Sequence, residues 1–170
     1  MNESVQMNKH KNKLMIMKQM ITDRDINTDE CIVASTYTNI EFPYLIKKLS
    51  LLNAMLNSAF NRKFQRYDSD QKSNPKYLAR LKDRIVFHCF NEKEFNNTHS
   101  HIYLKVPSDL CFDSVVKKMQ ELFLKLDDRT NPNRKFKYKI YQETIDDQFL
   151  YCDYVLKKYD IHNPDTHIVI

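Results

Sequence analysis

The chain contains no glycine at all. At an average usage of about 7%, roughly a dozen would be expected in a chain of this length. Phosphate-cradling loops of the G-x-x-x-x-G-K-[ST] kind and G-x-G-x-x-G dinucleotide turns both need glycine, so neither can exist here. A nucleotide-driven motor and a Rossmann dehydrogenase are thereby excluded. A paired cysteine motif is also lacking: the four cysteines (Cys31, Cys89, Cys111, Cys152) are scattered and form no C-x-x-C pair. That spacing indicates neither a zinc ribbon nor a disulfide framework, and each thiol is expected as a small buried hydrophobe. Long apolar runs are also missing: no stretch approaches the roughly eighteen residues of a membrane span. Met1 to Met20 is mixed polar, basic and methionine-rich, unlike the continuous apolar core of a secretory signal. The cytoplasm of a native or infected cell is the expectation, with no membrane partner.

What is present fits one globular domain with a real core: 170 residues, 42% of them hydrophobic. The net charge is +5 and the pI about 8.9. This charge is local. Between Asn61 and Arg84 lie eight basic residues (Arg62, Lys63, Arg66, Lys72, Lys76, Arg80, Lys82, Arg84) against three acids, which accounts for the whole +5. Phe64, Tyr67 and Tyr77 are interleaved with them. Such a stretch can track a phosphate backbone while its rings meet bases, with Arg62, Lys63 and Arg66 as candidate contacts. It reads equally as a solvated loop of ordinary charge.

Periodicity supplies the architecture. Residues 1–28 form a weakly specified arm, with a short helix around Lys11 to Ile21. Cys31 to Asn39 is rich in β-branched and aromatic residues and predicts a first strand. Pro43 suits a helix start, and Leu45, Leu49, Leu52, Leu56 and Phe60 recur at helical steps, predicting a helix from Tyr44 to Phe64. The polar segment Gln65 to Pro75 predicts a loop. A second strand is expected over Arg84 to Asn91, a polar loop over Lys93 to Thr98, and a third strand that ends at Pro107. Val115, Met119, Leu122, Phe123 and Leu126 mark a second helix. Phe136 to Gln142 alternates as a fourth strand, and a third helix is expected from Asp147 to Tyr159. The order β-α-β-β-α-β-α implies an α+β fold, an antiparallel sheet of four to five strands with helices packed on it, ferredoxin-like in character. The domain is expected over 29–162, followed by a tail over 163–170.

The third strand carries the most informative pattern. Strand side chains alternate faces, so His99 and His101 project from one side with Tyr103 and Lys105, and Ser100, Ile102, Leu104 and Val106 from the other. The second face suits a core, whereas the first is too polar to bury without a purpose. An antiparallel hairpin can bring Glu92, seven residues before His99, beside both imidazoles. Two histidines and one carboxylate form a donor set for a divalent cation. A solvent-facing strand carrying two histidines by chance explains His-x-His alone equally well.

The last helix contributes Tyr154 with Lys157 and Lys158, three and four residues on, along one helical face. Adjacent ammonium groups favour the phenolate of a phenol whose ordinary pKa lies near 10, and can neutralise charge building on a phosphate under attack. Taken alone, Tyr-x-x-Lys is more simply a packed tyrosine with two solvated lysines.

A Thr-rich first strand, a Glu/His-x-His hairpin and a Tyr-x-x-Lys helix, in that order, resemble the HUH superfamily of single-strand DNA endonucleases. Within it the chain is similar to the single-tyrosine replication initiators of rolling-circle plasmids, phages and small DNA viruses, over about Cys31 to Asp160. The resemblance places the first-strand motif on Ser35 to Asn39, with Thr36, Thr38 and Asn39 as DNA contacts. It makes His99, His101 and Glu92 the metal ligands, Tyr154 the nucleophile, and Lys157 or Lys158 its assistant. It implies a divalent cofactor (Mn²⁺ or Mg²⁺), an origin single strand as substrate, and a plasmid-bearing or infected host cell. A separate helicase and polymerase are further implied partners, because the chain carries no motor. The middle residue of His-x-His is Ser100, where the superfamily usually has a bulky apolar residue. No third histidine of the relaxase type is present, and Tyr151, one turn before Tyr154, is the second phenol that a two-tyrosine arrangement would use. A single-tyrosine HUH transposase, a relaxase relative and a non-catalytic nucleic-acid-binding or metal-storing domain share parts of the pattern. An Fe(II) oxygenase fits the ligand types but belongs on an all-β scaffold, against which the helical stripes argue.

Overall fold

Each strand of this protein carries β-branched or aromatic residues, which suit a pleated surface. The computed structural model describes residues 15, 30–36, 40–62, 83–126, 138–144 and 163–170. Its strands are β1 (Glu30–Thr36), β2 (Val86–Lys93), β3 (Thr98–Lys105), β4 (Tyr138–Thr144) and β5 (His167–Val169). Its long helices are α1 (Phe42–Ala59) and α2 (Phe112–Leu126). Every strand pairing is antiparallel, in the order β4-β1-β3-β2-β5. The expected α+β class and ferredoxin-like character are what the structure has.

Both helices pack on the same sheet face. Ile32, Ala34, Phe87, Cys89, Ile102 and Leu104 meet Leu45, Leu49, Leu52 and Leu56 of α1, and Val115, Met119, Leu122 and Phe123 of α2, in one core. Ser100 lies in this face fully buried, its hydroxyl beside the Cys89 thiol. Burial pushes that thiol's pKa up, and the serine partly opposes the shift. A serine is thus accommodated where the resemblance leads one to expect a bulky apolar side chain.

Contacts at both ends fix α1 against the sheet. At its start, Thr98 Oγ1 accepts from Ile40 N at 3.0 Å and donates to Ile40 O at 2.9 Å, while Lys93 Nζ pairs with Glu41 at 2.7 Å. Near its end, buried Asn57 accepts from Ile85 N at 3.0 Å and donates to Ile85 O at 2.9 Å. The hairpin end of the sheet therefore lies under the start of α1, and the opposite end under its last turns.

Several expectations need correction. Helix α1 stops at Ala59 rather than Phe64, because Asn61 turns left-handed at φ 55°. The presumed tail over 163–170 belongs to the domain: Pro164–Thr166 is a 3₁₀ turn, β5 pairs with β2, and Ile168 and Ile170 enter the core. Cys31 and Cys89 are buried as expected, but Cys111 is exposed, since it precedes α2 at the surface. Apart from Met15, the helix expected over Lys11 to Ile21 lies outside the described residues, as do the helix over Asp147 to Tyr159, the loop Gln65 to Pro75 and Cys152. Among the described residues, no helix is long and apolar enough to cross a membrane.

Candidate metal centre

The β2–β3 hairpin has the register that the alternation requires. Glu92 stands directly opposite His99, and Phe90 opposite His101. β3 is the central strand of the five, so His99 is also opposite Ser35 and His101 opposite Val33 of β1. Ligands carried by two paired strands in the middle of a sheet are held by ladder hydrogen bonds on both sides, a rigid support for a site. The chain reverses in a four-residue turn after Lys93, closed by Glu94 N donating to Asn97 O at 2.9 Å.

Glu92, His99 and His101 each present a ligand atom, and these atoms lie within 4.8 Å of one another. Glu92 Oε2 is 3.0 Å from His99 Nε2 and 3.8 Å from His101 Nε2. Ligands at right angles on a cation with bonds of about 2.1 Å stand about 3 Å apart, so the spacing suits a single ion. The two rings meet edge to face with centroids 5.1 Å apart. His99 Nδ1 lies 3.2 Å from Asn97 Oδ1. Burial, then the neighbouring His101, lowers the His99 pKa from its ordinary value, while Glu92 opposes the shift. The predicted metal residues are therefore brought together as expected, and the donor set fits a divalent cation; the identity of that cation is a separate matter.

The setting differs from the one the sequence suggests. The front face is not an open polar surface: Glu92, His99, His101 and Tyr103 are only 2%, 7%, 4% and 1% exposed. Phe90 packs beside them, stacked on the His167 ring with centroids 4.5 Å apart and edge-on to Tyr103 at 6.0 Å. Sequence reasoning missed Asn97 and His167. Asn97 stands two residues before His99, on the same turn that sets the hairpin register, which was the available signal. His167 gave none, because its strand is three residues long.

The remaining site candidates fare differently. Arg62 lies just past α1, ion-paired with Asp109, at the end of the sheet away from the hairpin; the structure does not bring it to the metal ligands. Thr36 closes β1 opposite Tyr138. Tyr154, Lys157, Lys158, Tyr151, Thr38, Asn39, Lys63 and Arg66 lie outside the described residues. The chain matches no protein-family model, no curated protein and no solved structure.

Proposed function

We propose that this protein nicks and rejoins single-stranded DNA at a specific site by tyrosine transesterification, and so initiates rolling-circle replication. The observation that carries the reading is the convergence of Glu92, His99 and His101 on the central strands, on the face opposite α1 and α2. A divalent cation held there supplies Lewis-acid stabilisation of the non-bridging oxygens of a scissile phosphate. Two imidazoles and a carboxylate favour Mn²⁺ over Mg²⁺, which prefers oxygen donors.

In this reading the Tyr154 phenolic oxygen attacks phosphorus. A tyrosyl O–P bond forms to the 5′-phosphate, the P–O3′ bond breaks, and the proton lost by the phenol is balanced by the one the 3′-hydroxyl gains. One phosphodiester replaces another, so the step is reversible and needs no nucleotide, in keeping with a glycine-free chain. Lys157 and Lys158 offset negative charge at the phosphate. The free 3′-end then primes a polymerase supplied separately. A single-tyrosine transposase would use the same groups on hairpin ends, and activity on those ends separates the two roles.

The test is incubation with origin-type single-stranded DNA and Mn²⁺, read on a denaturing gel. Wild type should give a covalent adduct that EDTA prevents and Tyr154→Phe abolishes; an undiminished adduct in Tyr154→Phe rules out the assigned nucleophile. The burial of all three ligands favours one second reading, a structural ion in a non-catalytic nucleic-acid-binding domain. Mn²⁺ would then raise the melting temperature and DNA would bind, but no strand would be cut.

A further inference from the structure

We propose that Asn97 is a positioning residue that fixes the tautomer of His99 for cation binding, an inference that rests on the metal-centre reading. The Asn97 amide oxygen faces His99 Nδ1 at 3.2 Å. A carbonyl oxygen only accepts, so it selects the tautomer in which Nδ1 carries the hydrogen. A neutral imidazole has a single N–H, which leaves Nε2 with a lone pair.

That lone pair points at Glu92 Oε2, 3.0 Å away. Two acceptors at such a distance repel unless positive charge lies between them, which a bound cation would supply. Without Asn97, the ring can turn its N–H toward Glu92 instead. The pair would then satisfy itself, and no nitrogen lone pair would remain for an ion. Metal-bound histidines usually donate their second N–H to a fixed oxygen, and loss of that partner typically weakens binding about 10–100-fold. Asn97 is in place to supply this oxygen.

The geometry also separates this role from a merely structural one. The turn is closed through main-chain atoms, by Glu94 N donating to Asn97 O at 2.9 Å and by the Lys93–Thr98 pair of the ladder. Neither depends on the Asn97 side chain.

The experiment is a Mn²⁺ titration without DNA, followed by the electron paramagnetic resonance of the free ion, on wild type, Asn97→Ala and Asn97→Asp. Asn97→Ala should bind about 10–100-fold more weakly. Asn97→Asp, whose carboxylate can only accept, should bind at least as tightly as wild type, and it carries the test even if alanine disturbs the turn. Asn97→Ala within twofold of wild type, Asn97→Asp as weak as Asn97→Ala, or a wild type that binds no Mn²⁺ would each overturn the proposal. Because DNA is absent, a wild type that binds Mn²⁺ yet fails to nick would defeat the nuclease reading and leave the role of Asn97 standing.

Discussion

His99 sits where three demands meet: it must stay neutral to offer a lone pair, stay buried to be held, and remain close to a carboxylate. Burial and His101 lower its pKa, so the folded protein resists a proton that the unfolded chain accepts near the ordinary value of 6.5. Below that pH the unfolded state binds more protons, and stability falls as pH drops toward the lowered folded value. The metal-free protein should therefore show a falling urea midpoint as pH is lowered from about 6.5, with a shallower fall in His99→Gln. A slope unchanged by that substitution would show that His99 does not titrate as described. Added Mn²⁺ should steepen the dependence, since protons and cation compete for the same nitrogen.

At the scale of elements, the lack of glycine has a local consequence at the end of α1. Arg62 N donates to Asn57 O at 2.8 Å and Asn61 N to Ser58 O at 3.1 Å, the paired bonds of a Schellman ending. Glycine usually holds the left-handed position of that motif; here Asn61 does, the next most tolerant residue. Asn61→Ala should lower stability by about 1–2 kcal/mol and Asn61→Gly should not, measured by urea unfolding. Equal losses in both variants would mean that the asparagine side chain, rather than its backbone tolerance, ends the helix.

The same helix shows what the sequence could and could not convey. The leucine stripe from Leu45 to Leu56 was legible because a 3.6-residue period depends only on neighbours along the chain. Its end was placed too late, since Phe60 and Phe64 continue the stripe and an Asn turn carries a weaker signal than a Gly turn. The hairpin was legible for a comparable reason: alternation on both strands fixes the faces, and a short polar turn fixes the register, so Glu92 had to meet His99. Burial of the histidine face was not legible. A strand that alternates polar and apolar residues reads as half-exposed, and what covers its polar side is set by segments distant in sequence.

At the scale of the molecule, the order β4-β1-β3-β2-β5 puts the ligand strands at the centre and a three-residue strand at one edge. That edge strand escaped sequence reading because three residues hold too little periodicity to separate a strand from a tail. It is nonetheless part of the core: Ile168 and Ile170 are buried, and Ile170 exchanges main-chain bonds with Phe87 at 2.8 and 2.9 Å. Ile168→Ala should cost about 2–5 kcal/mol, seen as a lower urea midpoint. An unaltered midpoint would restore the view of residues 163–170 as a dispensable tail. β5 also brings His167 onto Phe90, next to His101, so the chain end helps wall the metal face.

The claim that ties these scales together is that a cation held by Glu92, His99 and His101 serves phosphoryl transfer to a tyrosine. Mass spectrometry of peptides recovered after reaction with single-stranded DNA and Mn²⁺ tests it most directly, because it reports reaction and residue together. The expected product is a peptide containing Tyr154 with a 5′-phosphate-linked nucleotide on the phenol, absent with EDTA and absent from His99→Ala and His101→Ala. A wild-type protein that binds Mn²⁺ and the DNA yet yields no nucleotide-linked peptide would contradict the account.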